Sequence, residues 1–201
     1  MINRHKKKER KNILFVCCGN RERSVIAENL LRKDIDDHFP QLAAKTVLGS
    51  AGIFPKEYLE YARKKGLKFE YPLFGREPNV YAIEYLAGKG IDVSPYRSRE
   101  LNEQMATDAD LILPIDRLIK NEILLFYPET TGKLFTCNEF VFGAGCLNPD
   151  IGDPMKLPDV DMATGAWFWP KEYPNSYIAE IEQCLSHGID KLVSYIMAIH
   201  C

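Results

Sequence analysis

Within eight residues the chain switches from one structural period to another. Asn12 to Cys17 (NILFVC) is an apolar run one strand long, and it stops at Gly19-Asn20. From Ser24 the apolar residues Ile26, Ala27, Leu30, Leu31 and Ile35 return at spacings of three and four, which is one buried face of a helix. Ser24 is a candidate cap near that helix start. A buried strand feeding a helix through so short a loop must be covered on both faces. That requirement points to a layered α/β fold with a parallel sheet.

The rest of the chain repeats the alternation. Lys45 to Ser50 reads as a second strand, closed by Ala51-Gly52, and Leu111 to Pro114 as a third. Lys133 to Cys137 reads as a fourth strand. Helices are expected over 57–65, 79–88 and 116–126, and a long final one over 175–200. The expected architecture is three layers, α/β/α, around a central four-stranded parallel sheet. Ligands of such sheets bind at the carboxyl ends of the strands, which is where Cys17 falls. A basic flexible tail is expected over 1–11 and a single domain over 12–201. Insertions near 53–74 and 155–174 resist the alternation and are rich in aromatic residues.

The loop itself is Cys17-Cys18-Gly19-Asn20-Arg21-Glu22-Arg23-Ser24. Backbone N–H groups of a tight loop can converge on an anion, and the next helix adds its unsatisfied N–H groups and positive dipole end. An arginine at the loop end can grip two oxygens at once. A cysteine at the entrance has its thiolate stabilised by the same field. Cys17 has five residues before Arg23 and Cys18 only four, so Cys17 is the expected nucleophile and Cys18 a wall residue.

The loop and several later segments resemble the low-molecular-weight protein tyrosine phosphatase family. FVCCGNRERSVIAENLL resembles the family's signature loop and first helix. Ser50-Ala51-Gly52, Gly75-Arg76-Glu77-Pro78, GKGIDVSPYRSREL, Ala109 to Leu113 and Asp150-Ile151-Gly152-Asp153-Pro154 resemble later motifs in the family's order. The resemblance implies a phosphatase I-like fold and metal-independent hydrolysis of phosphomonoesters through a phosphocysteine, most naturally on phosphotyrosine proteins. It implies catalytic roles for Cys17, Arg23 and Asp153, the last as general acid. Phosphate binding falls to Cys18, Gly19, Asn20, Arg21, Glu22 and Ser24, and no cofactor or metal is implied. Phe54, Tyr58, Trp167 and Trp169 are candidate rim residues, with Tyr71 and Phe74 beside them.

Two departures bear on chemistry. Glu22 stands where the family often carries a second cysteine, and Arg21 where it places a small or apolar residue. Same-fold alternatives are arsenate reduction, which lacks relay cysteines near the third strand, and phosphoarginine hydrolysis, suggested by FTCNEF and opposed by Arg21. A non-catalytic phosphate-binding module is opposed by the intact Cys17, Arg23 and Asp153.

With 26 Lys+Arg against 28 Asp+Glu, the formal net charge of -2 argues against nucleic acid or an anionic membrane as main partner. No apolar run approaches the roughly 20 residues of a membrane span. The six cysteines are irregularly spaced, which argues against a disulfide scaffold. A cytoplasmic protein acting on phosphorylated proteins or small phosphomonoesters is expected.

Overall fold

Strand β1 (Lys11–Cys17) is the central strand of a three-stranded sheet. Its residues alternate between two cores, as side chains on a pleat must. Ile13, Phe15 and Cys17 enter one apolar cluster, and Leu14, Val16 and the adjoining Cys18 the other. Both faces are therefore covered, which is why the strand reads as uninterrupted apolar sequence. Phe15 is wholly buried; removing such a side chain from water stabilises a fold by about 2–3 kcal/mol.

The computed structural model describes residues 10–64, 73–152, 159–160, 167–168 and 173–198. Strands β2 (Thr46–Gly52) and β3 (Leu111–Pro114) flank β1, both parallel to it, in the order β2-β1-β3. The register sets Cys17 opposite Gly52 and Val16 opposite Pro114. The three strands thus end at one edge. Helix α1 (Arg23–His38) follows β1, and a short α2 (Pro40–Ala43) precedes β2. Helices α3 (Lys56–Lys64), α4 (Val80–Gly88), α5 (Glu103–Asp108), α6 (Arg117–Phe126) and α7 (Cys137–Phe142) come next, and α8 (Tyr173–Met197) closes the fold. Residues of α1, α4, α7 and α8 share the first cluster, and residues of α5 and α6 the second. The three-layer expectation is met. A separate antiparallel pair joins β4 (Asp159–Val160) to β5 (Trp167–Phe168).

The main sheet has three strands among the described residues, not the expected four. Lys133 closes a 3-10 helix (Pro128–Lys133), and Cys137 opens α7. Between them only a single parallel bridge forms, Ile112 to Leu134, with the Phe135 N–H on the Ile112 carbonyl at 3.2 Å. The cause is local. The Thr136 side chain accepts the Glu139 N–H while the Glu139 carboxylate accepts the Thr136 N–H. This reciprocal cap starts a helix where a strand was expected.

Two boundaries move as well. Lys11, assigned to the tail, already pairs in β1; residues 1–9 lie outside the described residues. Ser24 lies inside α1, and Glu22 is the cap position, with no capping side-chain bond.

Candidate active site

The carboxyl edge of the sheet brings together three turns. The Ile53 N–H bonds the Cys17 carbonyl at 3.0 Å, the Ile115 N–H bonds Val16 at 2.9 Å, and the Ile151 N–H bonds Ile115 at 3.0 Å. The loop from Cys17 to Arg23 therefore lies between the end of β2 and the turn after β3. Gly152 is the last described residue before Asp153 and arrives at the same edge. Asp153 itself lies outside the described residues, as does Trp169, and the side chain of Trp167 is likewise outside them.

Cys17 is buried, with its Sγ 3.0 Å from the Ser24 Oγ. Asn20 explains that pairing. Its backbone is left-handed (φ 51°), a conformation that asparagine tolerates better than most residues. Its amide is fully used: Nδ2 donates to Ser24 Oγ and Ser50 Oγ, each at 3.0 Å, and Oδ1 accepts the Tyr96 hydroxyl at 2.6 Å and the Arg99 N–H at 2.8 Å. With Ser24 Oγ accepting from Asn20, its own O–H is left for the sulfur. Ser50 in turn donates to Glu28 Oε2 at 2.6 Å. Burial pushes the Tyr96 hydroxyl pKa up, which keeps it a donor to Asn20.

Arg23 is almost fully buried and opens α1. Its Nη1 donates to Asp116 Oδ2 at 2.9 Å, while Asp116 Oδ1 caps α6 by accepting the Ile119 N–H at 2.8 Å. One carboxylate thus starts a helix and aims the guanidinium. Cys18, Arg23, Tyr58, Asp116 and Leu118 line a small cavity. Arg21 turns its Nε to the Glu77 carbonyl at 2.7 Å, and the Asn79 N–H bonds the Arg21 carbonyl at 2.7 Å. Phe54 lies beside Gly19, stacks on Tyr58 at 6.2 Å between centroids and meets Phe74 edge-on at 5.6 Å. Tyr71 is outside the described residues.

The structure therefore gathers Cys17, Cys18, Gly19, Asn20, Arg23, Ser24, Phe54 and Tyr58 around one strand end. The sequence reading missed Asp116, Tyr96, Ser50 as a side chain, Glu28 and Arg99. The Asp116-Arg117 start of α6 carried a capping signal, but nothing in the sequence says that its second oxygen meets Arg23. Among the described residues, no group of three or more His, Cys, Asp or Glu is arranged to hold a metal. No helix of the described residues is long and apolar enough to cross a membrane.

A parallel sheet with a buried thiol, a paired buried arginine and a helix N-terminus at one strand end defines a phosphatase-type α/β protein. The family model for low molecular weight phosphotyrosine protein phosphatase matches residues 59–164. A probable low molecular weight protein-tyrosine-phosphatase, EpsP, of Ralstonia nicotianae is 34% identical over 146 residues, 73% of this chain and 79% of that protein. A protein-arginine-phosphatase of Geobacillus stearothermophilus is 32% identical over 146 residues, 73% of this chain and 80% of that one. Among solved structures, the YwlE arginine phosphatase from Geobacillus stearothermophilus aligns with TM-score 0.67 and 27% identity, covering 95% of this chain and 98% of its own. A low molecular weight protein tyrosine phosphatase from T. tengcongensis aligns with TM-score 0.65 and 27% identity, covering 90% and 99%. The chain belongs to the low molecular weight protein tyrosine phosphatase family and is a hydrolase of phosphoesters.

Proposed function

We propose that this chain cleaves phosphomonoesters through a phosphocysteine on Cys17, with phosphotyrosine proteins as the substrate class. The observation that carries the reading is the buried chain Asn20–Ser24–Cys17 beside the Arg23–Asp116 pair, all at the carboxyl end of β1. The Ser24 hydroxyl donates to the sulfur and stabilises its thiolate. The thiolate attacks phosphorus in line as the bond to the leaving oxygen breaks. Arg23 and the loop N–H groups hold the remaining oxygens, where charge spreads in the transition state. Asp153, two residues beyond Ile151, gives its proton to the leaving oxygen and then takes one from the water that hydrolyses the phosphocysteine. Arginine and loop dipoles supply the positive field that a metal would otherwise provide.

Arg21 favours an ester over phosphoarginine. The group leaving phosphoarginine is itself a guanidinium, and a cation fixed at the loop by Glu77 repels it.

The test is hydrolysis of p-nitrophenyl phosphate in EDTA. Wild-type protein turns over, and Cys17→Ser loses at least about three orders of magnitude in kcat, as loss of a covalent nucleophile predicts. Equal rates for the two proteins would refute the reading. A phosphotyrosine peptide should exceed a phosphoarginine peptide in kcat/KM.

A further inference from the structure

The residue just before Arg23 is a carboxylate, and the structure holds it in place. Glu22 is half-buried at the cap position of α1, where its carbonyl accepts the Ile26 N–H at 2.8 Å. The hydroxyl of Tyr177, a fully buried residue of α8, donates to Glu22 Oε1. Asn79, the cap of α4, reaches Oε2 with its Nδ2 at 3.5 Å while its N–H holds the Arg21 carbonyl. Two elements distant in sequence therefore converge on one loop side chain. The charged groups facing it are Arg21 and Arg23 of the loop; α8 presents Tyr177, and α4 presents the uncharged Asn79.

We propose that Glu22 is a positioning residue that limits how tightly the loop holds a dianion. Its carboxylate, tied to Tyr177 and Asn79, offsets part of the positive field of Arg21, Arg23 and the α1 N-terminus. Bound phosphate thereby remains exchangeable. The inference rests on the loop being the phosphate site. A cysteine phosphatase must release inorganic phosphate at every turnover, and two arginines with a helix N-terminus would hold that product strongly. A fixed negative neighbour weakens the hold through charge alone. Burial raises the Glu22 carboxyl pKa, while the Tyr177 bond and the charges of Arg23 and Arg21 draw it back down. The net direction is upward, so the carboxylate loses its charge on acidification at a higher pH than an exposed glutamate does.

Sulfate is the probe, because it stays a dianion over the working range. The Cys17→Ser full-length protein is the parent, because it binds an anion without the nucleophile. At pH 7.5, adding Glu22→Gln should tighten sulfate binding about 3- to 10-fold in calorimetry, since the amide keeps the acceptor for Tyr177 and drops the charge. The ratio should narrow as the solution is acidified and Glu22 takes up its proton. Equal affinities at pH 7.5, or a ratio indifferent to pH, would overturn the charge role. Tyr177→Phe, made on the Cys17 protein, keeps the charge and releases the tie. It should lower kcat for p-nitrophenyl phosphate about 3- to 10-fold while sulfate affinity in the parent stays within about twofold. An unchanged kcat would overturn the positioning role. A parent that binds no sulfate, together with a wild type that hydrolyses nothing, would overturn the reading of the site itself.

Discussion

Asn20 shows how much a single side chain can organise. Its four hydrogen bonds link the loop to β2 through Ser50 and to the 96–99 segment through Tyr96 and Arg99. The loop is thus held in shape before any ligand arrives, which is the preorganisation that transition-state stabilisation requires. Gly52 completes the arrangement from β2. A Cβ there would lie 2.6 Å from the Cys18 carbonyl oxygen and 2.9 Å from the Asn20 nitrogen, both backbone atoms of the loop. Gly52→Ala must therefore move the loop. We expect kcat/KM for p-nitrophenyl phosphate to fall at least about tenfold, because misplacing donors by a fraction of an ångström is costly. Overpacking of about 1–3 kcal/mol should lower Tm by several degrees. Steady-state kinetics beside a thermal melt checks both. The loop was legible in sequence because strand, glycine, arginine and helix are contiguous there. Asp116 was not, because its role depends on a contact across 93 positions.

At the scale of elements, helices with a clear repeat were readable and short ones were not. Ile178, Ile181, Leu185, Leu192 and Ile196 of α8 are buried as their spacing requires. The stretch Leu134 to Cys137 has the apolar composition of a strand, but the Thr136–Glu139 cap decides for a helix. The signal was present as T-x-x-E and was outweighed by β-propensity, a weak guide where only one bridge can form. Helix α8 is also tied to α4. Glu182 accepts the Tyr85 hydroxyl at 2.5 Å and the Lys89 ammonium at 2.7 Å. The Lys89 and Tyr85 bonds hold its carboxyl below the usual glutamate range. A depressed pKa contributes stability that is present above the unfolded value, about 4.3, and is lost as pH falls through the folded one. Glu182→Gln should thus cost less than about 1 kcal/mol at pH 7, as both partners are over 40% exposed. The difference should shrink below about pH 4 in urea melts of the two proteins.

At the scale of the whole molecule, the match to a solved arginine phosphatase covers 95% of this chain, and the aromatic residues after β2 pack beside the loop. Phe54 meets Gly19, and Tyr58 shares a cavity with Arg23. Shortening the chain between Tyr58 and Phe74 should shift the ratio of kcat/KM for phosphotyrosine peptide over p-nitrophenyl phosphate by at least about fivefold, because only the larger substrate reaches beyond the loop. An unchanged ratio would leave that segment without a part in substrate choice.

Helix α8 reaches three separate places in the first three turns after its start: Tyr177 on Glu22, Glu180 on the Gly152 N–H at 2.7 Å, and Glu182 on α4. The backbone is thus moored immediately before Asp153 and again where α8 begins. A change of chain length between Gly152 and Tyr177 should therefore leave both anchor points in place.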